Sequence, residues 1–346
     1  MMRTPSRVLP RLLAVLAAVL VAVPIAPAVA RAEPSSPTLT WAVQPADARG
    51  PDGRRFVEHT LDPGQVVTEY LAVRNFSAGA VVFSLKAADG YLTDKGRFTM
   101  LSSDRESVDG GTWIRVQDTV TVRANATAVV PFTITVPPDA TPGDHPAGIA
   151  ATVTSSGGTV AIESRVGFRV MMRVTGTVTA ALGVEGVTAA YRQSWNPFSG
   201  GTMRVRWTAT NTGNVAVTGT ATVTVAGPFG LGSRRVTVDA GELLPGGSRA
   251  VETRVGGVWA WGPLRTTVEA TPTLRDGDPA GVAIAAGTAA VTVWSGPWPQ
   301  LALAALLAAL VVAYRLVRRR RRRRLAALLA RARDEGRRAA LVGDEP

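Results

Sequence analysis

Cysteine is absent from the 346 residues, which removes disulfides, thiolate metal sites, iron–sulfur clusters and cysteine nucleophiles together. Histidine occurs twice, as His59 and His145. A multi-histidine metal centre is therefore excluded, and a serine-hydrolase triad would have to use one of these two rings. No Walker loop, dinucleotide fingerprint, zincin helix or nucleophile elbow occurs, and no cofactor is expected. Charged residues make up only 18% of the chain against 46% apolar, a balance that fills a sizeable core and argues against disorder. The length suits about two domains of roughly 150 residues.

The net charge of +12 raises the question of nucleic acid, which the distribution of charge answers. Residues 1–32 carry four arginines and no acid, residues 33–314 balance 22 basic against 22 acidic groups, and residues 315–346 hold 12 arginines against four acids. The middle of the chain has no excess positive charge with which to hold a phosphate backbone. No nucleic-acid partner is expected, and the basic ends read as signals of membrane topology.

Arg3, Arg7 and Arg11 precede twelve apolar residues from Leu12 to Val23, followed by Pro24, Pro27 and two overlapping small-residue sites at Ala28–Ala30 and Ala30–Ala32. This is the order of a secretory signal peptide, residues 1–32, cleaved after Ala30 or Ala32. Twelve helical residues cover only about 18 Å of a roughly 30 Å hydrocarbon layer, so an uncleaved anchor fits poorly. Near the other end, Leu301 to Tyr314 contains only Leu, Ala, Val and the closing Tyr, and extension through Arg315 to Val317 gives a span of about 25 Å. Trp294 and Trp298 frame one boundary and Tyr314 the other, where amphipathic rings favour the headgroup layer. Arg318, Arg319, Arg320, Arg321, Arg322, Arg323 and Arg324 follow at once. Such a block stays cytoplasmic and meets anionic lipid headgroups, placing everything from about residue 33 to 298 outside the cell membrane. Residues 297–317 are thus expected to be a single transmembrane helix and 318–346 an Arg-rich cytoplasmic tail, helical as far as Gly343.

Between these ends Val and Thr dominate, Gly and Pro punctuate, and apolar residues alternate with polar ones at period two. Val67, Leu71 and Val73, then Val81, Phe83 and Leu85, then Val130, Phe132, Ile134 and Val136 each line one face of an expected strand. Met203, Val205, Trp207 and Ala209 repeat the pattern. Leu71 to Asn75 resembles Trp207 to Asn211, each a strand ending in Asn and a tight turn. The expected fold is all-β, two tandem immunoglobulin-like β-sandwiches over 33–179 and 180–296, with Gly183 to Gly186 as the linker.

Two candidate chemistries stand out. His145 lies in Pro142–Gly148 beside Asp144, where a general base can be imagined, although a proline-flanked loop histidine more often serves as a turn residue or ligand contact. Asp89, Asp94, Asp104, Glu106 and Asp109 crowd loops around Tyr91 and Trp113. Their spacing matches no EF-hand and solvated acids are the expectation, with no metal site. Exposed rings beside polar groups suit glycans, so Tyr91, Trp113, Asp144 and His145 form the candidate ligand set, while Tyr91 and Trp113 equally suit core or staple positions. Trp259 and Trp261 are a second possible surface, or a plug for the end of a sandwich.

The opening Trp41-Ala42-Val43-Gln44-Pro45, the turn Leu61-Asp62-Pro63-Gly64-Gln65, the strand end Val73-Arg74-Asn75, and the run from Val136-Pro137-Pro138-Asp139 to Asp144-His145-Pro146-Ala147-Gly148-Ile149 appear in an order that resembles the peptidoglycan-binding domain of WxL-interacting proteins from Gram-positive cell surfaces. The resemblance covers roughly residues 38 to 155. It implies a non-catalytic surface protein that attaches to peptidoglycan or another cell-wall polymer through the first sandwich, with the second as spacer or docking site for a surface protein. The competing expectation is an assembly protein that captures a partner's strand at a sandwich edge.

Overall fold

The computed structural model describes residues 39–155, 162–274 and 282–342. The expected signal peptide lies outside the described residues. In chain order the strands are β1 (Trp41–Asp47), β2 (Gly50–Pro51), β3 (Val57–Leu61), β4 (Val66–Asn75), β5 (Val81–Leu92), β6 (Phe98–Met100), β7 (Ile114–Val116), β8 (Thr119–Val122), β9 (Thr127–Thr135), β10 (Gly143–Ser155) and β11 (Ile162–Val174). They continue with β12 (Thr179–Arg192), β13 (Gly201–Asn211), β14 (Val217–Ala226), β15 (Arg234–Leu243), β16 (Ser248–Val258), β17 (Gly262–Thr273), β18 (Ala283–Ala285) and β19 (Gly287–Ser295), and the chain ends in helix α1 (Trp298–Val342).

The strands form four sheets. The first is ordered β2-β1-β4-β9-β7 and the second β3-β11-β10-β5-β6, with β8 also on β5. Between them lies one core, containing Leu71, Val73, Phe83, Phe132, Ile134, Ile149, Val170 and Met172. The third and fourth sheets, β16-β13-β12-β18 and β15-β14-β17-β19, enclose a second core of Met203, Val205, Trp207, Val223, Val225, Leu264 and Val268. Pairing is antiparallel except for β3 on β11 and β18 on β12. The period-two pattern holds where it is cleanest: Met203, Val205, Trp207 and Ala209 of β13 are all buried while Arg204 and Arg206 face water.

Two local expectations change. Gly183 to Gly186 is part of β12, which runs through it with a register shift between Glu185 and Thr188, so the chain accommodates these glycines as an irregular strand. The Pro142–Gly148 segment is the start of β10 from Gly143 onward. Pro146 is tolerated there because the β5 ladder begins one residue later, at Ala147 opposite Asp89, and so loses no bond for want of the proline N–H. The apolar span and the arginine-rich tail, both expected to be helical, form one continuous helix, α1, among the described residues the single helix long and apolar enough to cross a membrane.

The paired Asn motifs become the same device twice. Asn75 and Asn211 are buried. Asn75 Oδ1 accepts from Ser77 N at 2.8 Å and its amide donates to Gly79 O, Val122 O and Arg123 O at 2.8 to 3.2 Å. Asn211 Oδ1 accepts from Gly213 N at 2.9 Å and its amide donates to Val215 O and Leu243 O at 2.8 and 2.9 Å. In each sheet pair the side chain closes the turn that follows it and ties it to the end of another strand, satisfying carbonyls that water cannot reach. Replacing Asn211 by Ala orphans these groups and is expected to cost about 3 kcal/mol, read as a lowered urea midpoint with an unchanged slope.

Candidate functional site

The β11 sequence Arg169-Val170-Met171-Met172-Arg173 splits by strand alternation. Val170 and Met172 enter the first core, while Arg169, Met171 and Arg173 line a cleft of about 410 Å3 at the junction with the second sheet pair. Glu58, His59 and Thr60 of β3 form one wall, and Ala216 to Thr218 with Glu242 of β15 form the other.

Asp144 holds this junction together. Its buried carboxylate takes Arg173 Nε at 2.6 Å and Nη2 at 3.0 Å, and also accepts from Ala216 N of the second sheet pair at 2.7 Å. Asp144 N donates to Asn214 O at 2.7 Å. Asn214 in turn donates to Pro142 O and Thr177 O at 2.8 Å and accepts from Thr179 N at 2.8 Å. A second bridge joins Arg169 to Glu242 through contacts of 2.6 and 3.1 Å. Fork-to-fork pairs of this kind fix orientation as well as distance.

Beside the cleft, His59 Nε2 lies 2.7 Å from Glu69 Oε1, and Arg54 Nη2 donates to Glu69 Oε2 at 2.8 Å. Burial raises the Glu69 pKa, but the hydrogen bonds from Arg54 and His59 outweigh it and hold the carboxyl below its usual range.

The sequence-predicted ligand set is divided by the fold. Asp144 and His145 are neighbours on one strand and therefore point to opposite faces: Asp144 to Arg173, His145 to the loop that ends in Trp113. His145 Nδ1 is 2.6 Å from Asp109 Oδ1, Nε2 is 2.8 Å from Thr141 O, and the ring lies 4.4 Å from that of Trp113, centroid to centroid. Trp113 is 7% exposed and belongs to the first core, whereas Tyr91 is 43% exposed. Of the four residues, Tyr91 alone is exposed. It lines a smaller groove with Pro146 and Leu243 to Arg249.

Asp89 of β5 gathers the acid-rich loop. Its two oxygens accept from Val108 N, Asp109 N and Gly111 N at 2.7 to 3.0 Å. The loop approaches so closely that a Cβ on Gly111 would stand 2.3 Å from Asp89 N, so glycine is required there. Among the described residues no group of three or more His, Asp or Glu side chains could hold a metal. Trp294, Trp298 and Tyr314 are exposed, as is Trp261, and Arg318 to Arg324 lie exposed along α1.

Sequence reasoning passed over Arg169, Arg173, Glu58 and Glu242. The signal was present in β11, where two arginines flank Met171 at spacing two, and was obscured by the apolar residues interleaved with them.

No known protein family matches the chain, and no curated protein is similar to it by sequence. Among solved structures it is similar to the chaperone–tip adhesin complex of CFA/I fimbriae (9% identity, TM-score 0.37, covering 75% of this chain and 99% of that one). It is also similar to the CsuC–CsuE chaperone–tip adhesion subunit complex from Acinetobacter baumannii (10%, 0.34, 73% and 97%) and to the Pseudomonas aeruginosa CupB2 chaperone (15%, 0.27, 70% and 99%). At these scores no role of theirs transfers to this chain.

Two outcomes follow from the side-chain geometry. Asp144→Ala removes the carboxylate that accepts from Arg173 and from the Ala216 N–H and is expected to lower stability by about 3 kcal/mol, measured by urea unfolding. Burial lowers the His145 pKa, but the hydrogen bond to Asp109, the contact with Thr141 O and the nearby carboxylates win, leaving it above its ordinary 6.5. A raised value in the folded state gives stability that is complete below pH 6.5 and is lost as pH climbs through the folded pKa. The unfolding midpoint should fall over that window, and His145→Gln should flatten the fall.

Proposed function

We propose that this chain is a non-catalytic, membrane-anchored protein of the cell envelope. In this reading it is exported by residues 1–32, fixed in the cell membrane by α1, and binds peptidoglycan or another wall polymer through the first sheet pair. The two sheet pairs are then two tandem immunoglobulin-like sandwiches, supported by their separate cores and by the Asn75 and Asn211 corners that recur in them. The arginine block after the apolar span keeps the C-terminal end cytoplasmic.

The observation that carries this reading is the order of the parts along the molecule. The β12–β13, β14–β15 and β16–β17 connections lie at the end of the second sheet pair where β19 runs into α1, while Ala216 and Glu242 at the opposite end meet the first sheet pair. In this reading the first sheet pair stands farthest from the bilayer, with the second as spacer. Its junction cleft is lined by Arg169, Arg173 and Glu242, held in ion pairs, and by the exposed Glu58, groups that suit the carboxylates, amides and hydroxyls of a glycan-peptide polymer.

A second reading, capture of a protein partner's strand, is favoured by β3. This short strand ends its sheet directly at the cleft wall, a place where an added strand could pair.

Detergent-solubilised full-length protein should co-sediment with insoluble peptidoglycan, and Arg169→Gln should weaken this by about tenfold, or ~1.4 kcal/mol. A chain that stays in the supernatant at every salt concentration overturns wall binding. Crosslinking in cells that yields a single protein partner and no wall material favours the strand-capture reading.

A further inference from the structure

We infer that the end of the second sheet pair from which α1 departs is itself a membrane-seating surface, which lies on the anionic lipid interface and inserts aromatic side chains from three separate loops. The inference rests on the reading of α1 as a membrane anchor and adds a second, non-helical contact with the same bilayer.

Trp195 and Phe198 project from the β12–β13 loop, Phe229 and Leu231 from the β14–β15 loop, and Trp261 from the β16–β17 loop. Trp195 is 87% exposed, Phe198 78% and Phe229 fully exposed. Large apolar side chains offered to water from three loops at one end of a domain form a patch that folding does not require. Phe229 makes the point most sharply. It sits at φ 56° and ψ 22°, a left-handed conformation costly for a bulky L-residue, at a position where its ring is fully exposed.

The loops are joined to one another and to the helix start. Gly227 and Gly232 pack so closely on Trp261 that a Cβ would lie 2.9 and 2.7 Å from its side chain. Gln193 Nε2 donates to Gly296 O at 2.9 Å, and Gln300 Nε2 of α1 donates to Pro197 O at 3.1 Å. The patch is therefore continuous with Trp294 and Trp298, the exposed rings at the mouth of the apolar helix.

Charge selects the occupant. Residues 191–202, 227–237, 253–266 and 294–300, which contain these loops and the strand ends behind them, hold five arginines (Arg192, Arg234, Arg235, Arg254 and Arg265) and no Asp or Glu. Aromatic rings backed by arginines match the layered chemistry of an anionic bilayer surface, with rings at the headgroup boundary and guanidinium groups against phosphates. A seat of this kind fixes the tilt of the spacer above the membrane, where a lone helix would leave it free to swing.

The absence of native cysteine allows a direct test. Full-length protein carrying one spin label, at Phe229→Cys or Phe198→Cys, is reconstituted in nanodiscs of phosphatidylcholine and phosphatidylglycerol. Collisional access to oxygen and to a water-soluble nickel complex is then compared with Val108→Cys on the first sheet pair and Leu306→Cys in α1. The expected result is an oxygen-to-nickel ratio several-fold higher at 229 and 198 than at 108, approaching that at 306. A lipid-like 306 with 229 and 198 as water-accessible as 108 overturns the seating surface and leaves the anchor standing. A water-accessible 306 overturns both. All three surface positions are exposed, so the label leaves both cores intact.

Discussion

A single buried carboxylate sets the relation between the two sheet pairs. Asp144 takes the fork of Arg173 from its own sheet pair and the Ala216 N–H from the other. Taking a carboxylate out of water is costly unless its acceptor sites are filled, so both sets of contacts must form together. That requirement selects one arrangement of the halves, because sliding one against the other would strip Asp144 of a donor. The cleft walls inherit this registration. Arg169 reaches Glu242 across the same junction.

Much of the fold was legible in the sequence because its signals are local. Alternation of Met203, Val205, Trp207 and Ala209 reports a half-buried strand whatever lies opposite. The likeness of Leu71–Asn75 to Trp207–Asn211 proved to be physical: both asparagines are buried and both close a turn while bonding to the end of another strand. The apolar span near the C-terminus was equally plain, since hydrophobicity over that length needs no partner to interpret. Short strands such as β3 and β18 escaped notice. Each pairs in parallel with a distant strand, and nothing in five or three residues announces such a partner.

The polar groups at the junction cleft were less legible for the same reason. Asp144 and His145 were noticed for the right chemical property, a carboxylate beside an imidazole, yet adjacent residues on a strand face opposite ways. Each is absorbed by a remote partner, Arg173 for one and Asp109 with Trp113 for the other. For Trp113 the sequence left a ligand-contacting ring and a core residue both open; it is a core residue, at the end of a loop whose backbone N–H groups Asp89, 22 positions before Gly111, gathers. Long-range hydrogen bonds decide which polar residues remain available to a ligand, and the spacing of residues does not encode them.

The central claim is that both sheet pairs stand outside the cell membrane while the arginine-rich end of α1 stays within. Single cysteines at Ser102 on the first sheet pair and at Ala332 in α1, both exposed, can be offered a membrane-impermeant maleimide on intact cells. An outward-facing exported region predicts labelling of Ser102→Cys, and of Ala332→Cys only after the membrane is opened. Labelling of Ala332→Cys on intact cells with Ser102→Cys protected would contradict it.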